Sequence, residues 1–227
     1  MRFIVQSSTL CYILIMNNMN KTETIIYWMN TECFNEASYF EKGLNQLNEE
    51  RHTITLALNQ REDQNLSLAA GLLLDLAVEA SGFKADVLHD HENKPYVLNH
   101  PELFISCTHC HPYAAAIISK QPVGIDIESQ RIDFSDIEKH YYSDEEKNYL
   151  QSFSNNNDRQ KARTDLWCRK ECLIKFDRLC DLKALSGLRP PLGYRFISQF
   201  IAGYSFEILI PDTSYSIQEV TIHDFKF

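Results

Sequence analysis

Val123-Gly124-Ile125-Asp126-Ile127-Glu128 is the stretch on which the reading of this chain turns. Apolar and β-branched residues alternate with acids, so it reads as a strand. Ile125 and Ile127 then share one face and Asp126 and Glu128 the other, the two acids about 7 Å apart at Cα. Two carboxylates side by side repel unless a cation lies between them, and a hard divalent cation takes oxygen ligands. The same pattern suits an exposed strand with two solvated acids, so by itself it leaves a metal site open.

Working outward, strands are expected at Phe104-Ile105-Ser106 and over 114–119, around a Cys/His-rich loop, and at Ile25-Ile26-Tyr27-Trp28. Helices are expected over 36–48 and over 66–80, where Leu68, Leu72, Leu73, Leu76 and Ala77 recur at helical spacing before Ser81-Gly82. A short strand over 86–89 and a polar turn, His91-Glu92-Asn93-Lys94-Pro95, follow. Beyond 128 come helices over 135–140 and 143–152, the second with Ser143 as N-cap and Glu146 at the capping-box position. A polar loop over 154–158, a helix over 165–176 and alternating strands in the tail complete the pass. Strands and helices mix in both halves, which gives an α+β class and a soft division near residue 120.

Composition bounds the rest. The chain has 227 residues, 44% of them hydrophobic, enough for a core and against global disorder. Its 22 basic against 31 acidic residues leave a net charge of −9, which argues against broad binding to nucleic acid or an anionic membrane. No window has the ~18–20 apolar residues of a membrane span. Residues 1–21 are mixed apolar and polar without a small-residue cleavage site, and read as an extension with a start placed too early. Seven cysteines in a chain of this length lack the density of a disulfide scaffold, so reduced thiols in the cytoplasm are expected.

Two further constellations carry chemistry. On a helix, Trp167, Glu171 and Lys175 stack at i, i+4, i+8, with Lys170 beside them. A carboxylate with ammonium groups is the equipment of a magnesium–phosphate site, although an i,i+4 Glu–Lys pair on a surface helix has the same spacing. Cys107-Thr108-His109-Cys110-His111 satisfies the haem-attachment pattern and could supply zinc ligands, but the leader is a poor export signal, and Cys168 and Cys172, four apart on a helix, are not a standard second zinc pair. Neither metal nor haem is expected there.

Taken in order, these residues resemble the 4′-phosphopantetheinyl transferase superfamily. The carriers are Val123 to Glu128, then Trp167-x-x-Lys170-Glu171-x-x-x-Lys175, with Tyr141-Tyr142-Ser143-Asp144-Glu145-Glu146 between them and Asn93-Lys94-Pro95-Tyr96 and the 104–110 stretch upstream. Length suits the larger, surfactin-activating class. Departures are Asn93 for the usual Gly, Ser106 for Asn, Thr108 and Cys110 for Ser, Arg61 placed before Glu62-Asp63, and Phe176-Asp177-Arg178 for a small, Gly-rich continuation.

The resemblance implies two similar α+β halves, 22–120 and 121–227, related by a pseudo-two-fold, with coenzyme A in the cleft between them. It implies transfer of 4′-phosphopantetheine from coenzyme A to a serine of an apo acyl or peptidyl carrier protein. Asp126, Glu128 and Glu171 would hold Mg²⁺, with Mn²⁺ as a substitute. Lys94, Pro95, Thr108, His109, Lys170 and Lys175 would bind the cofactor. Glu171 or a metal-bound water would be the base, with Lys175 beside it. A cytoplasmic monomer is expected. The rival readings are a non-catalytic binder of coenzyme A or carrier on the same fold, and a zinc protein built on the 107–111 cluster.

Overall fold

The computed structural model describes residues 24–177, 182 and 184–227. The 1–21 extension, Cys11 and Cys180 lie outside the described residues. Among the described residues, nine strands and six α-helices mix along the chain, an α+β architecture.

The first sheet has the order β4-β5-β1-β9, from β1 (Thr24–Asn30), β4 (Phe104–Cys110), β5 (Tyr113–Ser119) and β9 (Tyr215–Glu219). β5 pairs antiparallel with β1 and β4, and β9 pairs parallel with β1. The second sheet has the order β6-β8-β7, all antiparallel, from β6 (Gly124–Ser129), β7 (Tyr194–Ile201) and β8 (Tyr204–Pro211). A small hairpin joins β2 (Val87–His89) to β3 (Pro95–Val97).

Period-two alternation puts the two sheets face to face. Ile26, Ala115 and Ile117 of the first meet Ile125, Ile127, Phe206 and Ile208 of the second in one buried cluster. The outer faces are covered by helices. α3 (Arg61–Ala80) lays Leu68, Leu72, Leu73 and Leu76 on Ile25, Tyr27 and Met29, with α1 (Ala37–Leu44) and α2 (Glu49–Leu56) alongside. α6 (Asn156–Phe176) covers the second sheet, placing Cys172 and Leu173 on Leu209. α4 (Ser135–Tyr141) and α5 (Asp144–Gln151) flank α6, and Tyr142, Leu150, Ala162 and Leu166 fill that corner.

Three expectations change. The helix over 36–48 is α1 alone, ending at Leu44, and α2 starts a few residues on, where Asn48 accepts from the Arg51 N–H as a cap. Gly43 and the Asn45, Gln46 and Asn48 side chains interrupt the apolar periodicity that a single helix needed. The supposed Cys/His loop is strand: β4 runs through Cys110, because Cys107, Thr108 and His109 stay in register with Ala116, Ala115 and Ala114. Within the polar 154–158 stretch only Ser154 and Asn155 precede α6, whose first turn starts at Asn156, with Asn155 capping it through the Asn157 N–H. Asn and Asp runs read as loops, yet the same side chains favour a helix N-terminus.

Candidate active site

β6 is an edge strand of the second sheet and β4 an edge strand of the first, and they run beside each other. α6 crosses β6 on its outer face. Gly124 permits that crossing: a Cβ there would stand 2.0 Å from the carbonyl oxygen of Cys172. With no side chain in the way, the last turns of the helix come down onto the acids of β6.

Asp126, only 4% exposed, is the centre of the arrangement. Its Oδ1 accepts from Lys175 Nζ at 2.7 Å and from Thr108 Oγ1 of β4 at 3.0 Å. Thr108 Oγ1 also takes the Ile127 N–H at 3.4 Å, which ties the two edge strands together. Lys175 Nζ donates in addition to the Ile125 carbonyl at 2.8 Å. Asp126 Oδ2 is buried without a hydrogen-bond partner. A carboxylate oxygen left dry and unpaired is costly, so this atom calls for a donor or a cation.

The neighbouring acids register the same crowding. Burial, then the negative charge of Asp126, pushes Glu128 up to about 7. Burial and Asp126 likewise raise Glu171, with Lys175 opposing. For Lys175 itself burial works against the charge, but the contact with Asp126 outweighs it and the ammonium is held above its ordinary range. Cys110 reaches Glu128 from β4, and burial and that carboxylate push its thiol up to about 11.

Asp126, Glu128, Glu171, Lys175 and Thr108 are therefore gathered at one seam. His109 follows Thr108 on β4 with its side chain on the other face and exposed; desolvation, with the charges of Lys175 and Arg51, lowers its pKa and keeps the ring neutral at pH 7. Lys94 joins from the small hairpin, its Nζ donating to the Lys175 carbonyl at 2.9 Å, and Pro95 opens β3 opposite His89.

Lys170 does not join them, contrary to its expected place at a phosphate. It is fully buried, 3.0 Å from Glu146 Oε2, and donates to the carbonyls of Leu182 and Leu185. Three acceptors use the three hydrogens of the ammonium. The physical reason is the helical period: residue 170 lies about 100° around the helix from 171, on the side that faces α5 rather than β6.

Cys107 and Cys110 are held apart by strand geometry. Cys107 packs toward the core under α3 and Cys110 toward the core between the sheets, so the two thiols cannot share one ion. Among the described residues, no three His, Cys, Asp or Glu side chains form a ready-made ion cage. At the acid seam Lys175 occupies Oδ1 of Asp126. The donor set still suits a hard divalent cation: an orphaned buried oxygen flanked by two half-buried carboxylates whose proton affinity is raised by crowding.

Residues 122–215 match the family model of the 4′-phosphopantetheinyl transferase superfamily. Among curated proteins, none matches the chain. The matched span holds Asp126, Glu128, Glu171, Lys175, Glu146 and Lys170, and it supports phosphopantetheinyl transferase activity in general. Thr108, His109 and Lys94 come from outside it. Three contributors escaped the sequence reading: Glu146 as the partner of Lys170, Cys110 beside Glu128, and Gly124 as the passage for the helix. For Gly124 the signal was present, a glycine opening a strand of otherwise bulky residues.

Proposed function

We propose that this protein transfers the 4′-phosphopantetheine group of coenzyme A to a serine hydroxyl of an apo carrier protein, releasing 3′,5′-ADP. The observation that carries the reading is the buried, unpartnered Oδ2 of Asp126, a carboxylate that feels the charges of Glu128 and Glu171 and whose other oxygen accepts from the Lys175 ammonium. Asp126, Glu128 and Glu171 would hold Mg²⁺, which supplies positive charge against pyrophosphate oxygens when bound.

The chain's own groups account for the remaining chemistry. Lys175 stays charged and sits where negative charge grows as the bond to 3′,5′-ADP breaks. Glu171, with its proton affinity raised, takes the hydroxyl proton as the serine oxygen attacks the phosphorus nearer the pantetheine. His109, neutral at the rim, offers a ring N–H to a cofactor phosphate. Lys94 fixes the end of α6 through the Lys175 carbonyl, so its expected role at the adenine end runs through position as much as contact. The carrier docks without help from net charge, because the chain is itself acidic and carrier proteins of this kind are acidic too.

Intact-mass measurement of a panel of apo carriers, incubated with the protein, coenzyme A and Mg²⁺, tests this. A gain of one phosphopantetheine on a carrier serine is expected, lost in excess EDTA. Coenzyme A binding without any mass gain would replace the reading with a non-catalytic binder. Lys175→Ala should lower kcat 10²–10³-fold, a barrier increase of about 3–4 kcal/mol, while coenzyme A affinity falls much less. Equal losses in both would make Lys175 an anchor only.

A further inference from the structure

Glu146 and Lys170 form a network apart from the acid seam, both side chains fully buried. Glu146 is the capping-box residue of α5: its Oε2 accepts the Ser143 N–H at 2.8 Å and meets Lys170 at 3.0 Å. Its Oε1 accepts the Gly187 N–H at 2.7 Å. Lys170 completes the circuit through the carbonyls of Leu182 and Leu185. Gly187 must lack a side chain, because a Cβ there would come within 2.8 Å of the Leu166 carbonyl. One ion pair thus binds α5, α6 and the stretch ending at Gly187, and Leu185 from that stretch packs on Cys172, Leu173 and Leu209 beside the helix.

Burying two charges is expensive, and a well-packed apolar pair of the same volume would serve stability as well or better. Stability alone therefore gives a weak reason for this pair. Lys170 is adjacent in sequence to Glu171 and little more than one turn from Lys175. Clamping Lys170 from three sides fixes the rotation of α6 about its axis, which decides whether Glu171 and Lys175 face β6.

We propose that Lys170 and Glu146 are positioning residues for the transfer reaction: they pin Leu182, Leu185 and Gly187 to α6 through their backbone groups and hold Glu171 and Lys175 against Asp126, without touching coenzyme A. The proposal rests on the reading of the acid seam as a transferase site.

The test compares wild type, Glu146→Gln, Lys170→Met and the Glu146→Gln/Lys170→Met double variant. Melting temperature, kcat, coenzyme A affinity by calorimetry and amide exchange of peptides from α6 and 184–190 are measured for each. Lys170→Met strands a buried carboxylate and should melt far lower. The double variant carries no stranded charge and should recover most of the melting temperature. Its kcat should remain at least tenfold down, with coenzyme A affinity within threefold of wild type and faster exchange confined to α6 and 184–190. Wild-type kcat or wild-type exchange in the double variant would make the pair purely structural and overturn the proposal. A loss of coenzyme A affinity matching the loss of rate would overturn it too, by putting Lys170 at the cofactor. If the double variant fails to fold, Glu146→Gln alone, which keeps the side-chain shape and one of the two acceptor oxygens, decides on the same readouts. Should wild type transfer nothing, the transferase reading falls, and with it the proposal, while the exchange data still report whether the clamp exists.

Discussion

β1 lies under α3, and β6 lies under α6. Each opens a strand–helix–strand–strand run whose last strand pairs with both the others: β1, α3, β4, β5 in the order β4-β5-β1, and β6, α6, β7, β8 in the order β6-β8-β7. The inward faces are alike, Ile26 on β1 and Ile125 and Ile127 on β6 meeting in one core. The helix-facing sides differ completely. β1 offers Ile25, Tyr27 and Met29 to a row of leucines. β6 offers Gly124, Asp126 and Glu128 to Glu171 and Lys175. One layer uses its helix to stabilise the fold, whereas the other carries charged groups in a half-buried seam at the edge of the same core.

The sharpest way to break this comparison is a matched pair of truncations. Leu73→Ala under the first sheet should cost about 2–5 kcal/mol of stability from lost burial and a residual cavity, with activity per folded molecule unchanged. Asp126→Ala should abolish transfer while the metal-free protein melts at or above the wild-type temperature, because crowded acids lose a repulsive neighbour. Thermal melts in EDTA, alongside the carrier mass assay, read both. If Asp126→Ala melts several degrees lower, the Lys175 and Thr108 contacts stabilise more than the acid crowding costs, and the two layers are less different than they look.

Gly124→Ala attacks the junction itself. A methyl cannot fit 2.0 Å from the Cys172 carbonyl, so α6 must lift from β6. We expect about 2–4 kcal/mol of destabilisation, within the range for overpacking or backbone strain, together with a fall in kcat. Gly43→Ala is the control in the other layer, since its methyl would meet only leucine side-chain atoms at 3.1 Å or more. A Gly124→Ala protein with unchanged kcat would mean that the helix position is not critical for the chemistry.

How far the sequence disclosed this contrast depends on the kind of signal. Apolar periodicity marked α3 and the paired strands, because burial imposes a period that single residues carry. The alternation of 124–128 and the i, i+4 spacing of Glu171 and Lys175 placed the acids and the ammonium on their faces. Ser143 and Glu146 announced a helix start, and the capping box is there. What stayed hidden was long-range. Nothing local says that Glu146 will receive Lys170, 24 positions on, or that Thr108 will reach from another sheet to Asp126. The polar Asn155 to Asp158 run and the β4 extension through Cys110 were misread because local polarity outweighed tertiary pairing in the reading.

A pH series extends the comparison to the far side of α6. Glu207 on β8 is fully buried, with Arg169 Nε 3.1 Å and Ser198 Oγ 2.8 Å from Oε2 and no partner for Oε1. Burial, only partly offset by Arg169, pushes it up to about 7. Between an ordinary carboxylate value and 7, the folded chain keeps a proton that the unfolded chain has released. Stability contributed by that proton is present at low pH and is lost as pH rises through the window. The loss is about 1–3 kcal/mol at the 1.36 kcal/mol that one pKa unit represents. Glu207→Gln does not titrate, so its melting temperature relative to wild type should rise between pH 5 and pH 8. A constant difference would mean that Arg169 keeps Glu207 ionised throughout.

The smallest effect is expected at the cysteines of β4, and it separates the strand reading from a metal cluster. Cys107 and Cys110 point to opposite faces, so a Cys107→Ser/Cys110→Ser protein should bind zinc no differently from wild type. Cys107 packs at the margin of the α3 core, where a hydroxyl is slightly less welcome than a thiol. Cys110 meets Glu128, and serine keeps a donor there with a stronger hydrogen bond than the thiol gives. The two changes act in opposite directions on the site and its support. Transfer should stay within about tenfold of wild type, at most about 1.4 kcal/mol in the barrier, with the Cys110 change alone closer to neutral. Stoichiometric zinc in the purified wild type that disappears in the double variant would restore the metal-cluster reading and require β4 to open around it.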